Sequence, residues 1–115
     1  MVSPNSPLPS LGGARGFRRV YREGKVVRRR FLDVRFCKQA GAPLRLGLTV
    51  PRKVGKAVVR NRLRRRIREF ARLQPHDVFA GDVVVHCRPG AAALSAEVLR
   101  GELTALWRAL RGGAA

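Results

Sequence analysis

The chemistry available to this sequence is concentrated in one cationic stretch, which runs from Arg52 to Arg72 and reads RKVGKAVVRNRLRRRIREFAR. The stretch contains ten Lys or Arg residues and a single acid, Glu69. Most of the cations are arginines, whose planar guanidinium groups bind phosphate oxygens through paired hydrogen bonds. These residue types indicate a polyanionic partner, and a nucleic-acid backbone fits them best.

The apolar residues in this stretch recur with the period of a helix that begins near Ala57. At about 100° per residue, they form a stripe on one face, while arginines and one asparagine lie on the other face. Because crowded cations repel one another unless an anion lies along them, we expect the apolar stripe to pack and the cationic face to bind nucleic acid. The stripe consists of Val59, Leu63, Ile67 and Phe70, and the cationic face of Asn61, Arg64, Arg65, Arg68 and Arg72.

The turn Val54-Gly55-Lys56 precedes this helix and brings backbone N–H groups and a lysine to its amino terminus. The partial positive charge at a helix amino terminus favours phosphate. The turn is not a Walker loop, because residue 50 is Val rather than Gly and Ala57 follows Lys56 where Ser or Thr is required. We therefore predict a phosphate contact here without nucleotide binding.

The whole chain has 115 residues and a net charge of +18, with 25 basic and 7 acidic residues. This length allows one domain with a single modest core, and charge of this size favours a bound polyanion, either RNA or DNA. A second basic run, from Arg15 to Arg30, has only Glu23 against eight cations. We predict a flexible tail over 1–16, rich in Pro and Gly, a single nucleic-acid-binding domain over 17–111 and a short tail over 112–115.

Catalysis by the protein itself is not indicated, because the seven acids are scattered without the spacing of a metal site or an acid–base pair. His76 and His86 lack a ligand partner and are expected to be structural or at the surface. Cys37 and Cys87 have no CxxC spacing and lie in apolar runs, which favours buried thiols in a reducing compartment. No apolar run is long enough to span a membrane, so we expect a cytoplasmic protein without a membrane partner.

The elements that position the cationic helix can be predicted from local patterns. Phe17, Val20 and Tyr21 recur at helical spacing up to Gly24, which predicts a short amphipathic helix. Both aromatic side chains are either part of the core or available to stack on unpaired bases, and the residues alone leave these alternatives open.

Alternating apolar residues predict strands over 31–37 and 44–50, which we expect to pair as an antiparallel hairpin, and a third strand over 83–87. Gly47 indicates a close approach of ligand or backbone, or a bulge. A last helix is predicted with Ser95 as its N-cap and a leucine stripe from Leu99 to Leu110 that covers the sheet.

The segment VGKAVVRNRLRRRIRE, from Val54 to Glu69, closely resembles the signature of the bacterial ribonuclease P protein subunit, with its Arg-Asn-Arg core followed by further basic residues. The resemblance extends over roughly 17–110 and includes FRRVYREGK, LRLGLTV and GDVVVHCRPGAAALS in the same order. It implies an α+β fold, a compact two-layer α/β sandwich of the ribosomal protein S5 domain 2-like type. In this fold a left-handed βαβ crossover is built around the Arg-Asn-Arg helix.

The resemblance also implies a function. The protein would bind the catalytic RNA subunit of ribonuclease P, with one protein per RNA, and guide the single-stranded 5′ leader of precursor tRNA through a cleft between the first helix and the sheet. The RNA, with Mg²⁺ bound mainly by the RNA, would carry out the hydrolysis that leaves a mature 5′ end.

Carried over by position, the resemblance implies two sets of site residues and no catalytic or metal-binding side chain. Val34 departs from a leader-contacting Tyr of some relatives, Arg66 replaces an apolar residue and is expected to extend outward, and Pro51 replaces Ser or Ala. The leader-binding set is Phe17, Tyr21 and Arg88. The RNA-binding set is Lys53, Lys56, Arg60, Asn61, Arg62, Arg64, Arg65, Arg68 and Arg72.

Alternative functions are separable by simple observations. A ribosomal or other structural RNA-binding protein with the same fold would not assist cleavage of precursor tRNA. A protein-only nuclease would be active without RNA, and a duplex DNA-binding module would need the second helix of a helix-turn-helix, which the sequence lacks.

Overall fold

A computed structural model describes residues 9–11 and 13–112 of the chain. Residues 1–8 of the predicted tail over 1–16, and 113–115 of the predicted tail over 112–115, lie outside these described residues. Within them the elements follow one another as α1 (Gly13–Glu23), β1 (Lys25–Arg28), β2 (Leu32–Lys38), β3 (Leu44–Thr49), α2 (Ala57–Arg72), β4 (Gly81–Cys87) and α3 (Ala96–Arg111).

The four strands form one mixed sheet in the order β1-β2-β4-β3. β2 pairs antiparallel with both β1 and β4, whereas β3 pairs parallel with β4. The hairpin predicted between β2 and β3 is therefore wrong, because β4 lies between them. A parallel pair needs a long connection, and α2 with its flanking loops supplies it between β3 and β4. The left-handed sense of this crossover stays a prediction.

The main core lies between one face of the sheet and the helices α2 and α3. Alternate strand residues such as Leu32, Val34, Val83 and Val85 point into it, and they meet apolar side chains from both helices. The sheet and these two helices form the layers of an α+β sandwich. α3 begins as predicted, because Ser95 Oγ accepts a hydrogen bond of 3.2 Å from the Val98 N–H.

The helix α1 lies against the opposite face of the sheet. Val20 on α1 is fully buried against Val84 on β4, and Leu11 completes this smaller cluster. α1 begins at Gly13, before the predicted start at Phe17, so the last residues of the expected tail are helical. Leu11 explains the difference, because its side chain is 3% exposed and its backbone N–H donates to the Leu46 carbonyl.

The strand β1 was not predicted, and it adds an edge strand beside β2. Only four residues long, it lies in the second basic run and pairs Arg28 with Asp33 and Val27 with Val34. Its two central residues are half-buried and its two ends are exposed, so it has no clear alternation of apolar and polar residues. β1 forms one edge of the sheet and β3 the other.

Candidate nucleic-acid interface

The helix α2 separates into the two faces that its period predicts. Leu63 and Ile67 are 3% and 1% exposed, and Phe70 packs against the same core. Val59 is half-buried, and Ala71 extends the buried stripe at its carboxyl end. Because this stripe fixes the helix against the sheet, the remaining faces are held in a defined orientation toward solvent.

The cationic side chains of α2 lie together on the outer face. Arg65 and Arg68 are exposed and Arg64 is half-buried, and Arg64 donates a 3.1 Å hydrogen bond to the Asn61 side chain. Arg72 binds Glu69 at 2.6 Å one turn earlier in the helix, and this hydrogen bond lowers the pKa of the Glu69 carboxyl. Such a surface can bind several phosphates in a row. A surface depression is lined by Asn61, Arg64, Arg65, Arg68, Glu69 and Arg72.

The residues Arg60, Asn61 and Arg62 do not form one patch, since neighbours in a helix point about 100° apart. Arg60 is half-buried, and its Nε donates a 3.1 Å hydrogen bond to the Gly55 carbonyl, which closes the turn before the helix. Arg62 is exposed on the opposite flank. The geometry gives Arg60 a structural contact in addition to its predicted RNA contact.

The turn that leads into α2 has the features predicted for a phosphate contact. Lys53 lies in a single 3-10 turn, Arg52–Val54, and Lys56 is the N-cap of α2. Both lysines are exposed, and no side chain caps the first N–H groups of the helix. Unpaired N–H groups and two ammonium groups therefore face the same solvent region as the start of the cationic face.

A second candidate surface lies where α1 crosses the sheet. Phe17 and Tyr21 are both half-buried and belong to the apolar cluster of Val20. The ring of Phe17 lies over Gly47, where a Cβ would come within 2.6 Å of Phe17 Cζ. Gly47 thus marks a close approach by an aromatic side chain of the same chain, which neither predicted alternative included. Each aromatic residue is partly in the core and partly accessible.

The hydroxyl of Tyr21 is anchored to the sheet. Its oxygen lies 3.0 Å from Thr49 Oγ1 and 2.8 Å from His86 Nδ1. The guanidinium of Arg35 lies 4.7 Å from the centre of the Tyr21 ring, a cation–π distance. Burial lowers the pKa of His86, the neighbouring Asp33 carboxylate opposes this, and Arg35 and Arg88 reinforce it. His86 is therefore neutral at physiological pH and can share a hydrogen bond with Tyr21.

The predicted leader-binding residue Arg88 is already paired with a carboxylate. Its Nε and Nη2 donate to Asp33 Oδ2 at 3.2 Å and 2.9 Å. Asp33 is 4% exposed, so this ion pair compensates a buried charge and is stronger than a surface pair. Arg88 lies near enough to His86 to affect its pKa, but much of its charge is directed at Asp33.

A second buried carboxylate fixes α1 to the sheet. Asp82 is fully buried and accepts two hydrogen bonds from Arg45, at 2.7 Å and 2.9 Å. Arg19 of α1 approaches the same carboxylate at 3.4 Å, and its Nη2 lies 3.3 Å from Cys37 Sγ. The helix that carries both aromatic residues is thus held by apolar contacts and by a shared carboxylate.

The two predicted sets of site residues therefore lie on different surfaces. Phe17, Tyr21 and Arg88 share the α1 side of the sheet, whereas the RNA-binding set lies on α2 and the turn before it. Val34 is 1% exposed on the core face, so in this chain it is not available to a leader. Arg66 is exposed, as expected.

Four residues around Tyr21 were not predicted as part of a site, although the strand alternation already placed them away from the core. They are Asp33 and Arg35 on β2, Thr49 on β3 and His86 on β4. Each lies on an outward position of a strand with an apolar opposite face, and this alternation was the available signal. What the sequence could not provide is the strand order that brings the four together.

The carboxylates of the described residues do not form a metal site. Asp33 and Asp82 are bound to arginines, and no group of three or more His, Cys, Asp or Glu side chains lies close together in the described part of the chain. Burial raises the pKa of Cys87 to about 12, so this thiol stays protonated at neutral pH and is a poor nucleophile. Over 9–11 and 13–112, no helix is both long and apolar enough to cross a bilayer.

Comparison with known proteins finds proteins that are similar to this chain over most of its length. The family model described as Ribonuclease P matches residues 9–111. The ribonuclease P protein component of Syntrophobacter fumaroxidans is 39% identical over 103 residues, which cover 88% of this chain and 87% of that protein. The component from Thermus scotoductus is 51% identical over 65 residues, or 56% of this chain, and only 38% of its own length is matched. The crystallised Staphylococcus aureus RNase P protein superimposes with a TM-score of 0.80 at 28% identity, covering 86% of this chain and 92% of the other.

Proposed function

Because this chain belongs to the ribonuclease P protein family, we propose that it is the protein component of a ribonucleoprotein that removes the 5′ leader of precursor tRNA. The observation that supports this most directly is that two separate surfaces are suited to different forms of RNA. α2 offers a row of arginines suited to structured RNA, and the surface where α1 crosses the sheet offers two half-buried aromatic rings suited to a single strand.

The α2 surface binds the catalytic RNA in this proposal. A regular row of guanidinium groups on a rigid helix suits the fixed spacing of phosphates in folded RNA. Lys53 and Lys56 extend the row past the amino terminus of the helix, where the unpaired N–H groups add a further site for phosphate. Affinity for the RNA then depends mainly on charge and decreases steeply with salt.

The cleft beside α1 binds the leader. Phe17 and Tyr21 present partly exposed rings on which unpaired bases can stack, and Arg35 and Arg88 flank them with positive charge. The hydrogen bonds from Tyr21 to the sheet keep its ring in one orientation, so little conformational entropy is lost when a base stacks on it.

The protein supplies position and charge, and the RNA supplies the reaction. Mg²⁺ prefers oxygen ligands, often carboxylates, but the buried carboxylates Asp33 and Asp82 are already bound to arginines, and the outer face of α2 is cationic. The described residues therefore do not fit a protein-bound Mg²⁺ site, and we assign the metal ions to the catalytic RNA.

Reconstitution tests this function. The protein is added to a bacterial ribonuclease P RNA and a precursor tRNA, and cleavage is followed at a low Mg²⁺ concentration at which the RNA alone is slow. We expect faster cleavage at the mature 5′ end with the protein present, and no cleavage by the protein alone. A protein that binds the RNA without accelerating cleavage would instead be a structural RNA-binding protein.

A further inference from the structure

One row of residues crosses the whole sheet on the face beside α1. Arg28 of β1 pairs with Asp33 of β2, Asp33 pairs with His86 of β4, and His86 pairs with Thr49 of β3. Directly paired residues in neighbouring strands place their side chains on the same face. The row therefore continues from the Tyr21 anchor at Thr49 and His86 to the exposed edge strand β1.

Most of the charge in this row is already compensated. Arg88 is paired with Asp33, and burial lowers the pKa of His86 so that its ring is neutral. Among the described residues, no carboxylate lies within 4.0 Å of the guanidinium nitrogens of Arg28 or Arg35. These two arginines, on adjacent strands, supply the uncompensated positive charge around the row.

The order of the β-strands, and the connection of β3 to α2, show in which order a bound single-stranded leader would meet these residues. β3 leads directly into α2, on which we place the catalytic RNA, and β1 is at the other edge of the sheet. Three strand spacings of about 4.8 Å separate the two edges, or about 14 Å. A single-stranded leader that leaves the catalytic RNA beside β3 passes Tyr21 and Arg35 first and reaches Arg28 last.

We propose that Arg35 and Arg28 form a phosphate track that extends leader binding from Tyr21 to the edge strand β1, so that Arg28 contacts only precursor tRNAs with long leaders. This inference rests on the proposed function and specifies its substrate. Arg28 is well placed for such a contact because it is exposed and its backbone is held in the sheet by pairing with β2. Arg35, stacked on Tyr21, lies nearer to β3 and is met before Arg28.

The test uses the reconstituted complex with two precursor tRNAs that differ only in leader length. One leader has a single nucleotide, and the other has about ten, within the range of about 4 to 16 nucleotides that one single-strand-binding fold covers. Arg28→Gln removes the proposed contact. Arg108→Gln is the matched control, because Arg108 is an exposed arginine on α3, on the opposite side of the sheet.

We expect Arg28→Gln to weaken binding of the long-leader substrate by about threefold to tenfold at low salt and to reduce the salt slope by about one phosphate. Binding of the single-nucleotide substrate and of the catalytic RNA should equal that of the wild type, as should all values for Arg108→Gln. Arg35→Gln should also weaken binding of the long-leader substrate, and its thermal melting reports whether the Tyr21 contact survives.

The inference is overturned if Arg28→Gln leaves the long-leader affinity unchanged, or weakens both substrates or the catalytic RNA equally. The proposed function fails separately, if the wild-type protein does not accelerate cleavage at all. A wild-type protein that accelerates cleavage, combined with an unaffected Arg28→Gln variant, would retain the function and remove only the track.

Discussion

Nδ1 of His86 on β4 lies 2.8 Å from the hydroxyl oxygen of Tyr21 on α1. This contact joins the helix that carries the candidate leader-binding aromatics to the central strand of the sheet. The contact also depends on the protonation state of His86, because an imidazolium can only donate through Nδ1, whereas the neutral ring can accept.

Acidification should destabilise the protein through His86. Burial lowers the pKa of this residue below its ordinary 6.5 in the folded state, so over the window just below that value the unfolded chain binds more protons. The free energy of unfolding therefore falls as the pH is lowered through this window and levels off below the folded-state pKa. Thermal melting between about pH 7.5 and about pH 5 measures the effect, and His86→Gln should show a smaller decrease than the wild type. Equal decreases in both proteins would contradict this assignment.

The ring and the hydroxyl of Tyr21 should have separable effects. Tyr21→Phe keeps the stacking surface and removes the hydrogen bonds that orient the ring, so we expect a loss of about 0.5–1.5 kcal/mol in the free energy of unfolding and a smaller loss of leader affinity than in Tyr21→Ala. Tyr21→Ala also removes the ring and should weaken leader binding by about 1–3 kcal/mol. Urea denaturation and binding of a leader-bearing precursor to the reconstituted complex measure the two effects. If Tyr21→Phe loses as much leader affinity as Tyr21→Ala, stacking is not the contribution of the ring.

Gly47→Ala should displace Phe17. The new Cβ would lie 2.6 Å from Phe17 Cζ, closer than atoms can approach, so the ring must move. We expect lower stability and weaker leader binding with unchanged affinity for the catalytic RNA. Gly101→Ala is the matched control, because a Cβ at this helical position meets nothing within 4 Å. The control should gain about 0.5–1 kcal/mol of stability, since alanine is the better helix former. Equal behaviour of the two variants would mean that the Phe17 position does not matter.

The outer face of α2 should account for much of the salt dependence of RNA binding. The double variant Arg65→Gln/Arg68→Gln removes two exposed cations from this face without touching the buried stripe. We expect weaker binding to the catalytic RNA and a salt slope smaller by about two phosphates, measured by titration between about 50 and 200 mM salt. Arg108→Gln again serves as the control for the loss of an exposed arginine. An unchanged slope in the double variant would place the RNA contact elsewhere.

The carboxylate of Asp82 should stabilise the docking of α1. Asp82→Ala removes the buried acceptor shared by Arg45 and Arg19, and we expect the free energy of unfolding to fall by about 2–3 kcal/mol. The exposed pair between Glu69 and Arg72 provides the contrast, because surface pairs contribute little. Urea denaturation of Asp82→Ala and Glu69→Gln compares them directly. A Glu69→Gln variant as unstable as Asp82→Ala would contradict this distinction between buried and exposed pairs.

Local patterns predicted much of this fold correctly. The periodicity of apolar residues predicted the position of α2 and the inward faces of β2, β3 and β4, because each of these elements has a distinct apolar side. The residue type of Ser95 predicted the N-cap of α3. β1 was missed because two valines between basic residues give no alternation long enough to recognise. The hairpin between β2 and β3 was wrong because neighbouring strands in sequence usually pair, and nothing local shows that β4 inserts between them.

The candidate site could likewise be predicted only in part. The cationic face of α2 is a property of one helix, so its period was sufficient to identify it. The cleft depends on three strands and a helix, and the bonds between Asp33 and Arg88 and between Asp82 and Arg45 join residues 55 and 37 positions apart in sequence. Such pairings are set by strand order. Residue type alone therefore indicated that Arg88 was available to a ligand but not that it was already bound to a carboxylate.

The short segment before α1 has a practical consequence for shortened versions of this protein. Its backbone bonds to Leu46 occupy the outer side of β3, through the Leu11 N–H and the Pro9 carbonyl, each at 2.9 Å. A version that begins at Phe17 would leave the N–H and C=O groups of Leu46 unpaired on the outer side of β3. Unpaired edge strands of different molecules pair with one another, which leads to aggregation. Versions that keep Pro9 should stay monomeric in conditions where the shorter ones precipitate.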